Sequence, residues 1–275
     1  MRDEDLRSSS DYNEGQKEAA HRILIELVNL FDEYRDDIRI VGGWVPDLMF
    51  PNEGHIGSVD VDMLINHLNL KDAGYQTMSR ILLKNGYVQN ADKYFSFTKN
   101  VIIDGKLYPV DVDILAGKYG GTSDEKGGQH IQGLKALKAT GGNYAFEFEP
   151  QVIDVQAKRP DGAIDSARVN VVAIVPYIIM KTAALGRGKP KDAYDIYFLI
   201  RHYKNGAKEL AHLFRDCGDV KLIQDMKDKL SKKFGSPNHA GPVDVAAFME
   251  LEDNDEIEFV KRDAYEQVRV LIENI

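Results

Sequence analysis

Residues 38–65 read IRIVGGWVPDLMFPNEGHIGSVDVDMLI, and the order of signals in this stretch decides the fold. IRIVGG, residues 38–43, is a short apolar run ending in a glycine pair. It predicts a buried strand that enters a tight turn. GWVPDLMF then predicts a helix, with Pro46 tolerable only in its first turn. SVDVDMLI, residues 58–65, alternates acidic with apolar side chains and predicts a second strand.

Working outward, residues 14–34 place Ala20, Ile23, Leu24, Leu27, Val28 and Phe31 at helical spacing. Residues 72–85 predict another helix, closed by Asn85-Gly86. Residues 93–115 predict two strands joined at Asp104-Gly105, a dipeptide that suits a tight hairpin. Residues 116–130, with Gly120-Gly121 and Gly127-Gly128, read as a loop. NYAFEFE (143–149) and QVIDVQA (151–157) read as short strands, and VNVVAIV (169–175) as a last apolar one. From there the pattern turns helical, over 176–187, 191–206, 207–218, 220–235 and 263–275. The expected fold class is α+β: a mixed β-sheet flanked by helices over residues 1–170, with 1–13 disordered, then a helical bundle over 171–275.

The chain has 275 residues, 43% hydrophobic and 29% charged, with a net charge of -9. This is the composition of a globular protein with a real core. The acidic balance argues against a protein that coats nucleic acid non-specifically. No apolar run reaches the roughly 18–20 residues that span a bilayer, and no membrane partner is expected. Cys217 is the only cysteine, which excludes an intrachain disulfide and points to the cytoplasm.

The acids carry the chemistry. Asp60 and Asp62 lie two apart on a strand, so both side chains take one face. Their Cα atoms would stand roughly 6.5–7 Å apart. Carboxylates aimed at one point repel and raise each other's pKa, and a bound divalent cation removes that cost. Oxygen-only ligands favour Mg²⁺ or Mn²⁺. Asp111 and Asp113 repeat the pattern on a later strand, although Asp is depleted in strands generally. If the two strands are neighbours, Asp113 or Asp111 can complete the cluster, and Asp111 can instead serve as a general base. Gly42 and Gly43 would let the backbone approach a phosphate. Asp192 and Asp195 share a helix face, near a lysine, Lys181, and the basic turn of Arg187, Lys189 and Lys191. The histidines show no zinc spacing, and the chain has no P-loop and no G-x-S-x-G elbow.

Taken together, VGGWVPDLM (41–49), HIGSVDVDMLI (55–65), VDVDIL (110–115) and KTAALGRGKPKDAYDIYFL (181–199) resemble the nucleotidyltransferase superfamily, and within it the AbiEii-type nucleotidyltransferases, many of which are toxins of toxin–antitoxin pairs. The resemblance spans most of the first 200 residues. It implies a nucleotidyltransferase-like sheet and transfer of NMP from an NTP to an acceptor hydroxyl on tRNA, another RNA or a protein, with Mg²⁺ (or Mn²⁺) as cofactor. Asp60, Asp62 and Asp113 would hold the metal. Gly42, Gly43, Ser58 and Lys181 would grip the triphosphate, and Asp192 and Asp195 would support Lys181 or orient the acceptor. A cognate antitoxin would be a further partner. The chain departs from the pattern at two points: His55-Ile56-Gly57-Ser58 stands where members carry an arginine before the serine, and Trp44 replaces a small residue. Trp44 in GGW also resembles aminoglycoside nucleotidyltransferases, which implies a small-molecule acceptor as the alternative. A non-catalytic nucleotide- or partner-binding protein on the same fold is another.

Overall fold

A computed structural model describes residues 6–66, 69, 78–117, 129–131, 134–215, 218 and 220–275, of which 129–131, 134–136 and 138 are described by backbone alone. The chain divides into two compact units. A sheet unit comprises Asn13–Met49 and Gly57–Pro176. A helical unit comprises residues 6–12, Phe50–Ile56 and Tyr177–Ile275.

In the sheet unit, α1 (Glu14–Leu30) starts where the Asn13 side chain accepts from the N–H groups of Gly15 and Gln16. It buries Ile23, Leu24 and Leu27. The strands are β1 (Ile38–Val41), β2 (Val61–Ile65), β3 (Val88–Gln89), β4 (Ser96–Ile103), β5 (Lys106–Gly117), β6 (Gln129–Ile131), β7 (Leu134–Ala139), β8 (Gln151–Lys158) and β9 (Ile164–Val171). They form one mixed sheet in the order β3-β4-β5-β2-β1-β9-β8, with β7 joining β5 and β6 pairing β7. β2 is antiparallel to β1 and parallel to β5. The hairpin of β4 and β5 turns at Asp104 (φ 50) and Gly105 (φ 78), the left-handed pair expected of an Asp-Gly turn.

The two faces of the sheet differ. Lys99 pairs with Val110 across the hairpin and donates to Glu26 of α1 at 2.6 and 2.8 Å. α1 therefore covers the face of Val110 and Val112. The opposite face carries Asp111 and Asp113, because side chains alternate along a strand.

Several expectations shift. The strand predicted from 58 begins at Val61: β1 ends at Val41, opposite Asp62, and nothing from β1 continues the ladder beside Asp60. Residues 143–149 are not a strand; Tyr144–Phe146 form a 3-10 turn, and the rings of Tyr144 and Phe148 meet edge-on at 5.0 Å, a helical spacing. The apolar run 169–175 splits into the end of β9 and the start of α4 (Ile174–Ala184). α3 (Met78–Lys84) covers the second half of the helix expected over 72–85, and the first half lies outside the described residues. The glycine pairs of the 116–130 loop also lie outside them. Ahead of that gap, β5 continues to Gly117.

The helical unit contains the rest of α4, then α5 (Pro190–His202), α6 (Gly206–Arg215), α7 (Val220–Lys233), α8 (Ala240–Phe248) and α9 (Asn254–Asn274). Sequence periodicity missed α8 and the first turns of α9. The Asp253 side chain, which accepts from the N–H groups of Asp255 and Glu256, marks the latter's true start. Residues 6–12, expected to be disordered, are ordered. Leu6 and Tyr12 are buried, and the Ser10 N–H donates to Glu250 at 2.7 Å.

Candidate functional site

The site forms where β1 hands over to a short turn. Gly42 has φ +72, and a Cβ there would overlap the Asp62 carboxylate. Two independent constraints, the left-handed backbone and the close approach, thus require glycine at this position. Gly43 and Trp44 continue a 3-10 turn into α2 (Val45–Met49), where Pro46 sits in the first turn as expected.

Asp62 is the register partner of Asp113 on the neighbouring parallel strand, and Asp113 is the partner of Ser96 on β4. Ser96, Asp113 and Asp62 therefore form one row across the sheet, and Gly42 packs against the Asp62 end of it. The next row holds Val88, Thr98 and Asp111. Carrying the β2–β5 register one step further sets Asp60 beside Asp111.

Each of three acids has a hydroxyl donor. Ser58 Oγ donates to Asp60 at 2.6 Å, Thr98 Oγ1 donates to Asp111 at 2.6 Å, and Ser96 donates to Asp113. Trp44 Nε1 donates to the Asp60 carbonyl at 2.8 Å and ties the glycine turn to the first acid. Burial first, then the Asp60 and Asp111 charges, push the Asp113 carboxyl up to about 6, against the opposing pull of Ser96 and Lys93.

The donor set suits a hard divalent cation: it is all oxygen, on one face, with mutual repulsion that a cation would relieve. Among the described residues no group of three or more His, Cys, Asp or Glu is set to hold a metal ion. The fit lies in donor chemistry and shared face.

The remaining predicted residues lie in the helical unit, where they form a closed ion cluster. Lys181 Nζ stands 2.9 Å from Asp192 and 2.7 Å from Asp195. Lys191 Nζ donates to Asp195 at 2.9 Å, and Arg187 reaches Asp192 at 3.1 Å. Burial alone would raise both carboxyls. Lys181, with Lys191 at Asp195 and Arg187 at Asp192, more than offsets this and holds both below the usual range. Burial also works against the Lys181 ammonium, yet Asp195 and Asp192 hold its pKa well above its ordinary value. Sequence patterns miss the sixth member. His55 Nε2 lies 2.9 Å from Asp195, and burial with the Lys191 charge lowers His55 to about 4. With Asp195 ionised, His55 is a neutral imidazole donating from Nε2, stacked on Tyr194 at 5.3 Å.

Ser96, Thr98 and Lys93 are also absent from the predicted set, but the sequence holds a signal for the hydroxyls. A two-residue turn at 104–105 pairs 103 with 106, and counting back along the hairpin pairs 98 with 111 and 96 with 113.

No protein-family model, curated protein or solved structure matches the chain.

Proposed function

We propose that this chain transfers a nucleoside monophosphate from an NTP to an acceptor hydroxyl, on the acid face of its sheet. The observation that carries the reading is the row Ser96–Asp113–Asp62 closed by Gly42, a line of oxygen ligands whose Asp62 end packs into the space a side chain at 42 would fill. Asp62 and Asp113, with Asp60, would hold the divalent cation, which supplies charge neutralisation at the triphosphate. Lys93 adds a cation whose charge acts on Asp113. Asp111, oriented by Thr98, takes the acceptor's proton. The acceptor oxygen bonds to the α-phosphorus, the bond from that phosphorus to its bridging oxygen breaks, and pyrophosphate leaves with the electron pair. Catalysis on this reading comes from positioning and charge stabilisation. Lys181 is assigned no phosphate contact, because Asp192 and Asp195 already engage its ammonium. The motif resemblance to AbiEii-type enzymes supports the same chemistry, and a role as toxin with a cognate antitoxin rests on that resemblance alone.

The test is a calorimetric titration with each NTP, with and without Mg²⁺, for wild type and Asp60→Ala/Asp62→Ala. Metal-dependent binding by wild type, lost in a double variant that still melts cooperatively, is the expected result. Binding indifferent to both metal and substitution would sink the reading.

A further inference from the structure

The acid face does not stop at the acids. Beyond the row of Thr98 and Asp111, the β4–β5 hairpin continues outward with Asn100 opposite Pro109, then Ile102 opposite Leu107. Alternation puts all of these on the acid face. Ile102 is 63% exposed and Leu107 54%, and Val88, beside Thr98, is 67% exposed. Isolated apolar side chains on a surface need no explanation. Here three of them share one sheet face with the acids, and the outermost pair are direct cross-strand neighbours. The Ile102–Leu107 row lies four residues from Asp111, about 13 Å along the strand. No position of this face on either strand, from Ser96 to Ile102 or from Leu107 to Asp113, is Lys or Arg.

We infer that the acceptor is an extended protein segment that lies along this ribbon, its apolar side chains on Ile102, Leu107 and Val88 and its Ser, Thr or Tyr hydroxyl at Asp111. This rests on the nucleotidyl-transfer reading and names its acceptor class. The charge decides against RNA. A polynucleotide binds chiefly through cations that neutralise its phosphates, and apart from Lys93 near Asp113 this surface offers acids and apolar groups instead. A small molecule would reach Asp111 without needing contacts some 13 Å away. In the step, the segment's hydroxyl oxygen bonds to the α-phosphorus of the NTP, its proton passes to Asp111, and pyrophosphate departs.

The experiment pans a library of random short peptides, each with a central Ser, Thr or Tyr, against the full chain with NTP and Mg²⁺. Wild type is compared with Ile102→Glu/Leu107→Lys, whose opposite charges face each other across the strands and keep the hairpin paired. Val88→Lys is a second, independent variant, and melting curves check that both fold. Enrichment of peptides with an apolar residue about four positions from the hydroxyl, weakened about tenfold or more in the variants, is expected. No enrichment, or enrichment that both variants retain, overturns the inference. Label from α-labelled NTP entering total RNA or an aminoglycoside, while NTP binding stays metal-dependent, overturns it and leaves nucleotidyl transfer standing. Absence of metal-dependent NTP binding removes the underlying reading, and the inference falls with it.

Discussion

Asp113 on the sheet and Asp195 in the helical unit are both buried carboxylates, yet their surroundings push them in opposite directions. Asp195 is fully buried, and Lys181 and Lys191 hold it ionised. Asp113 is less buried, but Asp60 and Asp111 add negative charge to the cost of burial and push it up to about 6. The helical cluster is closed: its charges satisfy one another, and side chains of Lys181, Asp192 and Asp195 are at most 11% exposed. Such a cluster holds structure. The acid row holds like charges together, a state that carries a stability cost. What separates the two is charge compensation, which neither burial nor the presence of acids reveals by itself.

The sharpest way to break this comparison is Lys181→Met. It strips the counter-charge from two buried carboxylates, and urea unfolding should show a loss of about 3–5 kcal/mol. A loss of under about 1 kcal/mol, the range of an exposed pair, would mean the cluster is not the closed structural unit described. Gly42→Ala comes next. The left-handed φ and the overlap with Asp62 should together cost about 2–4 kcal/mol, read in the same unfolding assay. A silent Gly42→Ala would remove the close approach from the site. The smallest effect has the opposite sign. The folded protein keeps the Asp113 proton to about pH 6, while the unfolded chain loses it near 3.8. Wild-type stability therefore falls as pH rises through that window and stays lower above it. Asp113→Asn, with EDTA present, should stabilise the protein by about 2–3 kcal/mol at pH 7, and the gain should vanish by about pH 4. Unchanged melting at pH 7 would show that the acids do not repel.

Much of the acid face is legible in the amino-acid sequence. Alternation puts Asp60 with Asp62 and Asp111 with Asp113, and the Asp104-Gly105 turn carries enough information to count Ser96 and Thr98 into place. Residues 143–149 mislead because aromatic side chains at positions 144, 146 and 148 match a strand period, while Tyr144 and Phe148 also match a helical turn, which tertiary packing selects. His55 stands where the motif resemblance leads one to expect an arginine. Its partner is Asp195, 140 residues away, and no local pattern can express such a pairing.

By itself the sequence determined the mixed α and β character, the faces on which acids fall, and the hairpin register, because these follow from backbone periodicity and turn stereochemistry. Only the tertiary structure decided that Asp62 and Asp113 stand side by side, that the Asp113 carboxyl is pushed up while that of Asp195 is held down, and that Lys181 is bound to two carboxylates. Those outcomes depend on which strands become neighbours and which charges lose their water together, and both are fixed by contacts between residues far apart in the chain.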